Sequence, residues 1–217
     1  MSDDEPLIDI SPTISARMAV FPGDVAYRRE VSLDVDRDDP LTLSAITTTV
    51  HIGAHADAPV HYARGACGIE QRPLSRYYGP CQVVRVEDRR PPDHRIDRAA
   101  LSLAMPGGTP SAPRVLVATG SFPDPNIWTD DFLGLSTDAI DFLAESGVVL
   151  VGIDTPSIDP FDDRILESHQ AVARHDLAVL EGLVLAHVNP GHYTLLALPL
   201  KLEGADASPV RAALIPG

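Results

Sequence analysis

The sequence predicts an α/β protein, a single domain over residues 1–217 built on a mixed β-sheet with few helices. Three observations carry this reading. Twenty prolines and fifteen glycines cut the 217-residue chain into many short pieces, with no internal repeat and no low-complexity linker. Most of those pieces are short apolar or β-branched runs, and only two have helical periodicity. One run, VVLVGID at 148–154, is continuously apolar, as expected of a strand covered on both faces.

Taken in order, LIDI at 7–10 reads as a first strand, ended by Ser11-Pro12. VFPGD at 20–24 reads as a turn with an exposed aromatic, Phe21, near its start. Residues 26–35 and 41–50 read as two strands, the second running through Thr47-Thr48-Thr49-Val50. Residues 81–86 and 114–119 are further short strands, the latter closed by Gly120-Ser121. Residues 136–146 are the first helix. Ser136 or Thr137 offers a cap, Ala139, Ile140 and Leu143 fall at helical spacing, and Gly147 stops it. Residues 164–174 are the second, with Ile165, Leu166 and Val172 as its apolar positions. Strands at 182–188 and 193–202 complete the sheet.

Composition narrows the function classes. At 23.2 kDa, with 44% hydrophobic and 22% charged residues, the chain is an ordinary soluble globular protein with a substantial core. Seventeen basic against 31 acidic residues give −14, which argues against nucleic acid and anionic membrane surfaces as partners. Much of that charge, in MSDDE and at 34–39, reads as solvated surface. The start of the chain has no basic and apolar leader, and no apolar run approaches the ~20 residues that cross a bilayer. Cys67 and Cys81 have no spacing that suggests a disulfide scaffold, and Cys81 reads as a strand-entry core residue. A cytoplasmic protein is expected.

The chemistry is concentrated at 51–61, HIGAHADAPVH. Three histidines and a carboxylate stand within eleven positions, and imidazole and carboxylate are the usual ligands of zinc and related divalent ions. Gly53 and Pro59 oppose a regular helix through the segment. His51, His55, Asp57 and His61 share odd parity, so a locally extended chain would send them from one face. Isolated histidines usually do structural work, but four candidate donors this close point to a metal pocket at a strand end. His61 reads either as a further ligand or as a proton carrier beside the metal. Downstream, His169 and Glu181 are the candidate partners, twelve residues apart. Glu181 lies among apolar neighbours, where a carboxylate must be paired or metal-bound. A salt bridge to Arg164 or Arg174 would also account for it. Spacing does not exclude His175, His187 or His192 either.

HIGAHADAPVH resembles the HxGxHxDxPxH signature of the cyclase-like metal hydrolases, and within them the bacterial kynurenine formamidase branch. VFPGD at 20–24, GIDTPSIDP at 152–160, the His169–Glu181 spacing and HYTLLALPLKLEGADASPVRA at 192–212 resemble that branch in the same order, across nearly the whole chain. The resemblance implies a swivelling β/β/α-type fold and two divalent metal ions per subunit, zinc foremost. His51, His55 and Asp57 match the positions that hold one ion; Asp57, as a bridge, with His169 and Glu181 matches the second. His61 matches the catalytic proton carrier. Phe21 falls where the family places an aromatic, often Trp, against the substrate ring. Ala54 stands where Thr is common in the wider superfamily. The implied reaction is zinc-dependent hydrolysis of N-formyl-L-kynurenine, in tryptophan degradation, to L-kynurenine and formate by a homodimer. Two rivals follow from the same resemblance. One is a hydrolase that opens a cyclic amide, as isatin hydrolase does, a branch with Gln where this chain has Glu181. The other is a non-catalytic metal- or ligand-binding protein, for which an intact His61 would be superfluous. Asp154-Thr155-Pro156-Ser157 reads as pocket lining or a turn, and Trp128, Tyr77 and Tyr78 as substrate wall or interface.

Overall fold

The computed structural model describes residues 7–86 and 91–217. The acidic MSDDE segment therefore lies outside the described residues. In chain order the strands are β1 (Ile8–Asp9), β2 (Arg28–Leu33), β3 (Leu43–Thr47), β4 (His55–Asp57), β5 (Tyr78–Arg85), β6 (Arg95–Ile96), β7 (Arg114–Ala118), β8 (Gly134–Leu135), β9 (Leu150–Ile153), β10 (Ala178–Glu181), β11 (Gly191–Leu196), β12 (Ala207–Pro209) and β13 (Ala213–Pro216). The helices are α1 (Arg98–Leu103), α2 (Thr137–Glu145) and α3 (Glu167–His175).

Nine of these strands form one mixed sheet in the order β1-β13-β11-β5-β7-β9-β10-β4-β12. Its centre is the apolar run expected to be doubly covered: every residue of β7, β9 and β10 is buried. The strands from β5 to β10 pair in parallel, and both flanks continue antiparallel. Side chains of β7 alternate between two cores, as the two-residue period requires. Val115 and Val117 pack with Leu101, Ile140, Leu143 and Val172 of the helices, while Leu116 and Ala118 pack with Ile10, Leu195 and Leu214 on the opposite face. Cys81 lies in the second core, as its sequence context suggested, and burial pushes its thiol up to about 12. Tyr77 is also wholly buried there, so it is neither substrate wall nor interface; Tyr78 is exposed.

Three expectations are corrected, and one element was unforeseen. The strand placed at 182–188 sits earlier, as β10. Gly182 ends it with φ of +65°, and a Cβ there would lie 2.1 Å from the Gly53 carbonyl oxygen. Leu183, Leu185 and Val188 are buried as an irregular segment, so an apolar loop imitates a strand in sequence. The strand at 41–50 stops at Thr47, because the chain turns where the Thr49 amide donates to the Val25 carbonyl. The helix at 164–174 begins only at Glu167. Asp163 accepts from the amides of Ile165, Leu166 and Glu167, and Leu166 is left-handed at φ 54°. Helix α1, capped by Asp97 through the Ala100 amide, was not foreseen. Helix α2 matches expectation, capped by Ser136.

Strands β2 and β3 form a separate hairpin whose β3 residues are all exposed, Leu43 and Ile46 among them. No helix among the described residues is long and apolar enough to cross a membrane.

Candidate metal centre

β4 presents His55 and Asp57 from one face of a strand held between β10 and β12. Antiparallel register sets Glu181 directly across from His55. His51 comes from the bend before β4, where Gly53 is left-handed at φ 57°. His61 ends the short 3-10 turn Pro59–His61 just after it. HIGAHADAPVH is therefore not one extended stretch. Only His55 and Asp57 use strand parity, and turns bring the other two back. His169 arrives from α3.

These side chains converge on Asp57. His51 Nδ1 lies 3.1 Å and His55 Nε2 3.5 Å from Asp57 Oδ1, and His169 Nε2 lies 3.2 Å from Asp57 Oδ2. Glu181 closes the ring, 3.3 Å from His55 Nε2 and 3.4 Å from His169 Nε2, while its Oε1 accepts from the Ile158 amide. Two triads have ligand atoms all within 4.8 Å of one another: His51, Asp57 and His61, and His55, Asp57 and Glu181. Those triads differ from the grouping that the resemblance implied: they draw on five of its six site residues, and His169 is in neither. Glu181 pairs with neither Arg164 nor Arg174; Arg174 meets Asp141. His175, His187 and His192 are engaged elsewhere, with Asp141, the Asp9 carbonyl and Ser111.

The outer nitrogen of each inward-facing histidine is held. His55 Nδ1 lies 2.9 Å from the Gly53 carbonyl, which can only accept, so Nδ1 donates there and Nε2 is the nitrogen turned to Asp57 and Glu181. His169 Nδ1 lies 2.7 Å from Asp159 Oδ2, and His51 Nε2 lies 3.1 Å from Asp206 Oδ2. Inside this frame His55 Nε2 and Asp57 Oδ1 are buried with no hydrogen-bond partner. Buried polar atoms left without hydrogen bonds are costly, and a cation lying between the imidazole nitrogen and the carboxylate oxygens would satisfy both. The donor set, three imidazoles and two carboxylates with acceptors behind the imidazoles, fits divalent metal.

A cavity of about 710 Å³ opens onto these donors. An aromatic group forms one wall: Phe21 lies 5.2 Å from Trp128 and 5.4 Å from Phe161, with Phe122 5.9 Å from Trp128. Phe21 and Trp128 both line the cavity. Asp154 lines the cavity but is occupied as a clamp, accepting from Thr119 Oγ1 and the Thr119 and Gly120 amides.

Residues 8–160 match the family model described as "Putative cyclase". The chain belongs to this cyclase family. It is 47% identical over 211 residues to a protein of Bordetella avium named kynurenine formamidase, covering 96% of this chain and 97% of that one. The structure of a "predicted metal-dependent hydrolase" from Bacillus stearothermophilus superposes with a TM-score of 0.77 at 27% identity, over 96% of this chain and 97% of that one. Isatin hydrolase A from Ralstonia solanacearum shares the fold, with a TM-score of 0.78 at 21% identity over 97% and 92% of the two chains.

Electrostatics of the cyclase-family site follow from the same geometry. Burial drives Asp57 upward, yet the His169 hydrogen bond and the His51 and His55 imidazoles beside it outweigh burial and hold the carboxyl well below its usual range. Burial opposes the charged form of His51, but the Asp57 carboxylate 3.1 Å away, with Asp206, raises it to about 9. His169 is raised likewise by Asp159, Asp57 and Glu181 against burial. His61 alone moves the other way: burial lowers it, so its imidazole is neutral at pH 7. Asp159, Asp206, Phe161 and Phe122 were missed as site residues. Both aspartates stand in the stretches that carry the family resemblance, and the one signal was a carboxylate set among small and apolar neighbours.

Proposed function

We propose that the chain hydrolyses N-formyl-L-kynurenine to L-kynurenine and formate, as a cytoplasmic homodimer holding two divalent ions, zinc foremost, per subunit. The observation that carries this reading is the gathering of His51, His55, His169 and Glu181 around Asp57, with His55 Nε2 and Asp57 Oδ1 unbonded, beside an aromatic-walled cavity. The name of the 47%-identical relative supplies the substrate. His51, His55 and Asp57 would hold one ion, and Asp57, His169 and Glu181 the other. Bound there, the ions would lower the pKa of water from ~15.7 towards ~7 and polarise the formyl carbonyl.

The chain's residues do the rest. Phe21, Trp128 and Phe161 cover the aryl ring, each good ring pair adding about 0.5–1.5 kcal/mol. His61, neutral at pH 7, takes a proton from water as its oxygen bonds to the formyl carbon. It then gives that proton to the aniline nitrogen as the C–N bond breaks. Cytoplasmic placement is supported by two free cysteines. The homodimer is supported by the β2–β3 hairpin, since a two-stranded sheet with exposed Leu43 and Ile46 is marginal in water alone.

The test is turnover of N-formyl-L-kynurenine against isatin by zinc-loaded protein. Preference for the formamide is expected, and His61→Ala should lower kcat about 10²–10⁴-fold with zinc content unchanged. Preference for isatin would overturn the substrate assignment, and an unimpaired His61→Ala enzyme would remove the proton carrier.

A further inference from the structure

Asp206 stands just before β12, its carbonyl accepting from the Ala58 amide, so edge-strand pairing holds it against the turn that carries His61. Its Oδ2 lies 3.1 Å from His51 Nε2 and 3.6 Å from His61 Nδ1. The two imidazole rings lie with centroids 4.2 Å apart, tilted by 42°, and one carboxylate oxygen faces a nitrogen of each. The other inward-facing histidines have private acceptors: the Gly53 carbonyl serves His55, and Asp159 serves His169. Asp206 is shared between a proposed ligand and the proposed proton carrier.

We propose that Asp206 is a positioning residue that couples the two. By engaging His51 Nε2 it leaves Nδ1 as the nitrogen turned to Asp57, 3.1 Å away. By facing the Nδ1 edge of His61 it fixes that ring and leaves Nε2 as the nitrogen free for proton transfer. The imidazole of His61 makes no hydrogen bond to a protein group among the described residues, so the shared carboxylate at 3.6 Å and the neighbouring His51 ring are what orient it. Coupling has a consequence: a change at Asp206 disturbs metal binding and proton transfer together, whereas a change at Asp159 acts through metal binding.

The coupling to His61 rests on the proposed hydrolysis, while the effect on His51 does not, and the experiment separates them. Zinc affinity of Asp206→Ala is read by competition with a chromophoric chelator, and kcat and KM for N-formyl-L-kynurenine are read at saturating zinc. The expected result is zinc affinity weakened roughly 10–100-fold, with kcat lowered at least about 10-fold even when zinc is saturating and KM changed less than kcat. Asp206→Glu should recover part of both. Weakened affinity with kcat fully restored by zinc would overturn the shared role, since Asp206 would then serve His51 alone. Unchanged affinity and unchanged kcat would overturn it outright. If Asp206→Ala does not fold, Asp206→Asn at the same volume takes the same two readings. Wild-type protein that binds zinc but does not cleave the formamide would sink the hydrolysis reading and with it the His61 half, and zinc affinity would still decide the His51 half.

Discussion

Asp57 offers each of its oxygens to imidazoles from different directions, and its charge sets the protonation of the residues around it. In metal-free protein a proton on His51, held to about 9 by Asp57 and Asp206, partly does a cation's work. Zinc at this site must displace that proton. Calorimetric titration with zinc at pH 7 in two buffers of different ionisation enthalpy should show release of at least about one proton per chain; identical heats in both buffers would contradict it. The sign for stability follows from the same shift. The His51 pKa is raised above its unfolded value near 6.5, so its contribution is full below pH ~6.5 and lost as pH rises through about 9. His169 shifts in the same direction. Melting of the metal-free protein should therefore fall between pH 6.5 and 9.5, and a flat profile would contradict the arrangement. At this scale the sequence was informative where donors were dense. His51, His55, Asp57 and His61 stood out in eleven residues. His169 and Glu181 could not be told by spacing from His175, His187 and His192, because α3 and β10 meet β4 only through the sheet. Asp159 and Asp206 were missed despite standing in the stretches that carry the family resemblance, since a lone aspartate says little of the imidazole it will face.

Among the elements, the β10–Gly182 junction places Glu181. Strand β10 must end there, because the Gly182 amide donates to the Thr155 carbonyl and its Cα lies against the Gly53 carbonyl. An alanine at 182 would need a left-handed backbone, costing about 1–2 kcal/mol, and would press its Cβ into Gly53. Gly182→Ala should lower stability by at least that amount and weaken zinc affinity, because Gly53 holds His55. Circular-dichroism melts and chelator competition read the two effects, and a variant equal to wild type in both would remove the role given to this turn. Elements with a local signature were legible: the apolar run of β9, and α2 with its serine cap. The segment 182–188 misled because buried loop residues carry the same apolar side chains as a strand. The start of α3 misled because Asp163 caps it from outside the periodic region.

At the scale of the molecule, the sheet divides two cores, and the site lies where its antiparallel flank meets α3. Leu116, wholly buried in the sheet centre, should cost about 2–5 kcal/mol on change to alanine, lowering the melting temperature by roughly 2–4 °C per kcal/mol. Light scattering should give twice the 23.2 kDa of one chain, and Ile46→Asp on the exposed hairpin should return it to one; a monomeric wild type would contradict the homodimer. Fold class was readable from punctuation and apolar runs, but strand order was not, since neighbours such as β10 and β4 are far apart in sequence. The most direct test of the whole account is kynurenine release from N-formyl-L-kynurenine by metal-stripped protein, with and without added zinc. Release that appears only with zinc is the predicted result. No release under either condition, from protein that binds zinc, would contradict the formamide hydrolase.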